Sequence, residues 1–166
     1  MKHAGRSIRI FLAVVLLALF VKMFVFDIIY VSGPSMKPSL QNGAFILELK
    51  LAWGIPVPFR NAYMLRWGKP VSGEVVIFPW LGRYVVKRIA ATEGTPLAFS
   101  AESGYSVLIG NRSVPLNEAQ YQKLKNADRV PEGMIFALGD NMAESRDSRD
   151  YGFVSYDSIR GKVLWK

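Results

Sequence analysis

Two side chains in this 166-residue sequence have the surroundings for covalent chemistry, Ser35 and Lys87. Ser35 lies in VSGPSMKPSL, residues 31–40, a Gly-Pro-Ser turn that begins where a long apolar run ends. A serine hydroxyl is a weak nucleophile until a base takes its proton, and the usual base is histidine. The single histidine is His3, which lies ahead of the apolar run. Where that run crosses a membrane, His3 and Ser35 stand on opposite sides and a Ser-His-Asp triad is excluded. The chain has no cysteine, which excludes thiol catalysis, disulfides and zinc-cysteine sites. The bases that remain are a carboxylate, too acidic unless strongly perturbed, and a neutral lysine.

Lys87 is the best such lysine, because it sits in YVVKRIAA with apolar neighbours on both sides. A free lysine has a pKa of about 10.4, so near pH 7 about one in a few thousand is neutral. To act as a base it must lose roughly 2 to 3 pKa units, a bias of about 3 to 4 kcal/mol against the charged form. Burial supplies such a bias. Val85 and Val86 are the expected apolar cover, and Arg88 adds like-charge pressure if it points the same way. Each residue alone also has an ordinary reading. A serine in a Gly-Pro turn is usually a turn residue, and a lysine within a strand usually lies on the exposed face. A third stretch, GDNMAESRDSRDYG at residues 139–152, follows the strand-like MIFAL; by composition it reads as a solvated, charged loop.

These residues need elements to position them. Residues 1–9 carry Lys2, Arg6 and Arg9 and no acid, and IFLAVVLLALFV follows. Twelve residues are short for a span of about 20. Lys22, however, can snorkel with its stem in lipid, and counting through it gives a span over residues 8–26. No A-x-A cleavage pattern follows, so the segment reads as an uncleaved anchor with its basic end on the cytoplasmic side. The chain thus divides into a tail and transmembrane anchor, 1–26, and an extracytoplasmic domain, 27–166. The formal charge is +8, but the basic residues are scattered and no recognition helix accompanies them. This excludes nucleic acid as the expected partner and favours a basic surface facing acidic lipid head groups.

Beyond the anchor, strand-like runs dominate: DIIYV at 27–31, AFILEL at 44–49, EVVIF at 74–78, RYVVKRIA at 83–90, MIFAL at 134–138 and KVLW at 162–165. YSVLIGNRSVPL at 105–116 reads as a hairpin turning at Gly110-Asn111. Only NEAQYQKLK, 117–125, looks helical. The expected fold is mainly β, an N-terminal transmembrane helix followed by a sandwich or open barrel. LAWGIPVPF at 51–59, with Tyr63 and Trp67, has two readings: a membrane-facing surface, or a hairpin packed on the core.

Taken in order, the turn serine, the lysine run and the late charged loop resemble the type I signal peptidases, membrane-anchored serine-lysine proteases. SGPSMKPSL resembles their nucleophile motif, SGEVVIFP the following strand, VVKRIAATEG the lysine motif, and VPEGMIFALGDN with SRDSRDYG the last. The resemblance covers nearly the whole chain. It implies Ser35 as nucleophile, with its own N–H in the oxyanion hole, and Lys87 as general base. It further implies that Ser145 hydrogen-bonds and orients the base, that Asp147 and Arg149 form an ion pair shaping the site, and that Arg88 joins that pair. Met36 and Leu40, with Gly33 and Val86, are implied to line apolar substrate pockets that accept small side chains one and three residues before the cut. Substrates would be preproteins with signal peptides, cleaved at the surface of the bacterial cell membrane; no metal or organic cofactor is implied. Gly33 stands where some relatives carry a serine whose hydroxyl completes the oxyanion hole, and Met142, Ala143 and Glu144 stand where many read Arg-Asp-Asn. The chain between the lysine motif and the last motif is short, so the large extra domain of some relatives is absent.

Three other readings compete. One is a specialised serine-lysine peptidase that matures a pilin or conjugation protein. Another is a self-cleaving repressor-type protease, against which the anchor and the missing DNA-binding domain speak. The third is a non-catalytic anchored β-domain that binds a partner, which would tolerate loss of Ser35 and Lys87.

Overall fold

The computed structural model describes residues 2–57, 60 and 62–165. Helix α1, Lys2–Phe24, contains the apolar run. Its Gly5–Phe24 segment has a mean hydropathy of 2.3 and is not buried against the rest of the protein. That mostly apolar segment of 20 residues is about 30 Å long and matches a bilayer core. It stops two residues earlier than expected. Phe26 already belongs to strand β1, Phe26–Tyr30. Buried Lys50 terminates it, donating from Nζ to the carbonyls of Lys22 at 2.6 Å and Met23 at 3.4 Å and to Asp27 Oδ2 at 3.2 Å. A cation there satisfies orphan carbonyls and opposes the negative end of the helix.

The domain is mainly β. An open, antiparallel sheet of seven strands runs β1-β2-β12-β5-β6-β10-β11. The added strands are β2 Phe45–Leu49, β5 Val75–Trp80, β6 Arg83–Thr92, β10 Met134–Leu138, β11 Val154–Ser155 and β12 Gly161–Trp165. A two-stranded hairpin, β3 Gly54–Pro56 with β4 Tyr63–Arg66, and a three-stranded sheet, β7 Leu97–Ser100, β8 Ser106–Ile109 and β9 Arg112–Pro115, flank it. The β8–β9 turn falls at Gly110-Asn111, as the dipeptide predicts. Helix α2, Glu118–Leu124, is capped by Asn117 in a capping box with Gln120.

Residues of β6 alternate in burial, the mark of a strand with one face on the core. Three apolar clusters result. Trp53, Val76, Phe78 and Ile89 belong to one, Leu97, Val107 and Phe136 to a second, and Val31, Met36, Leu40, Ile46 and Ile77 to a third. The 51–67 stretch is a hairpin packed on the core on one side and exposed on the other. Trp53 is buried and Tyr63 OH donates to the Ile159 carbonyl at 2.9 Å, while Met64, Leu65 and Trp67 are exposed. Pro58 and Phe59 lie outside the described residues.

Candidate active site

The nucleophile segment leaves β1 and turns back before β2. Val31 and Gly43 close its ends, with Val31 N–H donating to Ala44 O and Gly43 N–H to Val31 O, each at 2.9 Å. Gly33 has φ +103°, a left-handed conformation that L side chains rarely adopt, and its N–H donates to Asn42 Oδ1 at 2.9 Å. The glycine therefore answers a backbone requirement of the turn. Met36 and Leu40, on either side of the next bend, are 1% and 2% exposed and fix the segment to the third cluster. They present almost no free surface beside Ser35. Val86 packs on the same cluster and is half-buried.

Lys87 is held by the register of β6 between β5 and β10. It lies opposite Val76, which is fully buried. Side chains directly opposite share a face, as do residues two apart. The cover of Lys87 therefore comes from Val76, Val85 and Ile89; Val86 turns to the other side, contrary to the expectation above. Lys87 is 3% exposed, and its Nζ donates to Ser35 Oγ at 2.7 Å across 52 residues of sequence. Burial pushes the ammonium below its ordinary pKa. The carboxylates of Asp147 and Asp140 resist that shift, and the cation of Arg149 adds to it.

The stretch after β10 is an ordered clasp. Gly139 N–H donates to Asp147 Oδ2 at 3.0 Å, Asn141 N–H to the Ser35 carbonyl at 3.0 Å, and Asn141 Nδ2 to the Pro34 carbonyl at 3.3 Å. A Cβ on Gly139 would fall 2.2 Å from Ser145 Oγ and 2.6 Å from the Ser35 carbonyl, so only glycine allows the two segments to approach. Asp147 caps the short helix α3, Ser148–Tyr151, in a capping box with Asp150. Ser148 Oγ accepts from Ala137 N–H at 2.9 Å and ties that helix to β10.

Asp147 and Arg149 pair as expected, by two bonds of 2.9 and 3.0 Å, both side chains buried. Arg149 also donates to the Met142 and Ser145 carbonyls, at 2.8 and 3.3 Å. The Met142-Ala143-Glu144 substitution is thus accommodated, because the clasp uses a backbone carbonyl of Met142 here. Arg88 does not join this pair. Its guanidinium binds Asp140 through bonds of 2.8 and 2.7 Å, the Gly73 carbonyl at 2.9 Å and Ser39 Oγ at 3.3 Å. Alternation along β6 turns it away from Lys87, so the like charge acting on the base is Arg149. Burial alone would raise the Asp140 carboxyl, but Arg88 and Ser39 hold it below its ordinary value. Ser145 Oγ is buried without a hydrogen-bond partner, so the expected bond to Lys87 is not made in this structure.

Sequence reasoning named neither Gly139, Asp140 nor Asn141 as site residues, although all three sit in the stretch it singled out. A Gly-Asp-Asn run after a strand signals a turn, not which distant segment that turn touches. Among the described residues no three His, Asp or Glu side chains gather as a metal site.

A buried amine on a serine hydroxyl, backed by a buried ion pair, can deprotonate that hydroxyl. Several known proteins match the chain over most of its length. A family profile described as signal peptidase, peptidase S26, matches residues 4–166. The signal peptidase I of Bacillus caldolyticus is 31% identical over 176 residues, covering 96% of this chain and 88% of that one. The mitochondrial ATP-independent inner membrane protease subunit 1a of Arabidopsis thaliana is 34% identical over 145 residues, covering 85% and 70%. A signal peptidase I crystal structure from Enterococcus faecalis V583 aligns with 58% of this chain and 97% of its own at TM-score 0.42 and 28% identity. On the near-complete profile match and the Bacillus relative, this chain belongs to the signal peptidase family, peptidase S26, whose members are membrane-anchored serine peptidases.

Proposed function

We propose that the chain is a type I signal peptidase that removes signal peptides from secreted preproteins, with Ser35 as nucleophile and Lys87 as general base. The observation that carries this reading is the 2.7 Å contact between a buried lysine amine and the Ser35 hydroxyl. Neutral Lys87 takes the Oγ proton as Ser35 attacks the scissile carbonyl carbon. The carbonyl electrons move to oxygen, and the oxyanion faces the Ser35 N–H, which makes no hydrogen bond among the described residues. Collapse breaks the peptide bond, and the Lys87 ammonium returns the proton to the leaving amine. Water, deprotonated by Lys87, then attacks the Ser35 ester; the acyl–oxygen bond breaks and the Lys87 ammonium returns the proton to Ser35 Oγ, which frees the enzyme.

Asp147, Arg149 and Arg88 serve as positioning residues, and Ser145 turns to the amine once substrate is bound. Residues 1–26 form a cytoplasmic tail and anchor in the bacterial cell membrane, and residues 27–166 work outside the cytoplasm. The basic, acid-free first nine residues support that orientation. Because the nucleophile lies eleven residues after the anchor helix ends, close to the membrane surface, membrane-held signal peptides reach it by confinement to one surface. Incubation of a preprotein with the wild-type chain, Ser35→Ala and Lys87→Ala in detergent or lipid tests the reading. Both variants lose cleavage and keep the wild-type melting curve; near-wild-type turnover in Lys87→Ala overturns the dyad.

A further inference from the structure

A cavity of about 690 Å³ lies away from the dyad, where the anchor meets the sheet. Its walls come from both: Leu19, Lys22 and Met23 from the last turns of α1, Arg60 from the β3–β4 connection, Tyr84 from β6 and Arg160 from the segment before β12. A cavity that includes the last turns of a membrane span opens at the level of the lipid head groups. Leu19 and Met23, four apart on a helix, form one apolar stripe running into the bilayer. Arg160 lies over the Tyr84 ring at 4.5 Å. The tip of the β5–β6 hairpin, three residues before Tyr84, presents Leu81 at 76% exposure and extends the apolar rim.

The charges in the cavity do not cancel. Asp27 accepts from Lys50 at 3.2 Å and from Arg160 at 2.6 Å, and Arg160 also faces Glu48 at 3.2 Å. Asp157 pairs with Arg66 at 2.8 Å. Two cations are left at the mouth. Lys22 only grazes Asp27, at 3.9 Å, with its side chain 73% exposed, and Arg60 is exposed with no ion pair among the described residues. Two loosely held cations above an apolar stripe match an anion carried on a hydrocarbon chain.

We propose that this cavity binds the phosphate of an anionic membrane phospholipid, with Lys22 and Arg60 on the phosphate and Leu19 and Met23 along the start of an acyl chain. The site rests on α1 as a span and is independent of the peptidase reading, so its test reads binding and not cleavage. The full chain in a neutral maltoside detergent is mixed with equal amounts of phosphatidylglycerol and phosphatidylcholine, and bound lipid is counted by native mass spectrometry. The wild-type chain prefers phosphatidylglycerol. Lys22→Gln and Arg60→Gln each weaken that binding about fivefold and together about 25-fold, while Lys125→Gln, at the exposed C-cap of α2, leaves it unchanged. Melting temperatures in detergent alone verify that the variants are folded. The proposal is overturned if the double variant keeps the wild-type preference, if Lys125→Gln loses as much, or if inorganic phosphate displaces the lipid at equal concentration, which marks a site for soluble anions.

Discussion

At the residue scale, the chemistry rests on one amine kept out of water. Lys87 is buried among Val76, Val85 and Ile89, and burial is the largest cause of its lowered pKa. Only the neutral amine accepts the Ser35 proton, so activity rises with pH as Lys87 deprotonates. Because the folded pKa lies below that of a free lysine, the acidic limb of the pH–rate profile lies below pH 10.5. A carboxylate beside the base opposes this shift, so Asp147→Asn moves the limb to lower pH even as it slows turnover. A limb that stays in place or moves upward, in a variant still folded, would show that Lys87 is not the titrating group. The residue types suggested this amine from its apolar neighbours. Of the two valines they offered as cover only Val85 shares the face of Lys87, and Arg88, whose like charge was conditional on its direction, points away, since adjacent residues of a strand point to opposite faces.

Elements decide how close the reacting atoms come. The nucleophile turn and the clasp after β10 meet through Asn141 and through the absence of a side chain at Gly139. Gly139→Ala places a methyl against Ser145 Oγ and the Ser35 carbonyl and forces the two segments apart. A displacement of about 1 Å at a reacting atom costs on the order of a hundredfold in rate. Gly139→Ala therefore lowers kcat about a hundredfold, with a smaller change in KM, in preprotein cleavage at saturating and limiting substrate. Wild-type kcat in a folded Gly139→Ala protein would remove the clasp from the mechanism. This contact was out of reach for periodicity and turn propensity, which describe a chain locally, whereas positions 35 and 139 meet only when the folded sheet sets the β1–β2 turn beside the end of β10.

At the scale of the whole molecule, another buried ionisable group lies at the junction of anchor and domain. Glu48 is fully buried in β2, and burial raises its carboxyl to about 7 although the cations of Arg160 and Lys50 pull it down. Between pH 4.5 and about 7 the folded protein holds a proton that the unfolded chain releases, so stability falls as pH rises through that window. The loss is about 3 kcal/mol at most. Glu48→Gln keeps the shape, removes the titration and leaves Arg160 paired with Asp27. Its melting temperature exceeds that of the wild type above pH 7, and the difference narrows toward pH 4.5. Parallel melting curves of the two proteins across that range would place the Glu48 charge in a well-solvated site.

What the sequence determined by itself was chemical and ordinal. An apolar run with a basic front end specifies the anchor, since spanning a bilayer depends on length and apolarity alone. The lack of any histidine but His3 narrows the base to a perturbed carboxylate or a neutral lysine, and the order of the short motifs carries the family. The strands around Lys87, the Gly110-Asn111 hairpin and the capped helix after Asn117 were legible because their signals are local. The tertiary structure decided who meets whom. It brought Lys87 to Ser35, gave Arg88 to Asp140 and Arg149 to Asp147, sank Met36 and Leu40 into the core, and set Lys50 on the end of the anchor. These pairings depend on register, strand alternation and the approach of distant backbone, and a one-residue shift would exchange every partner.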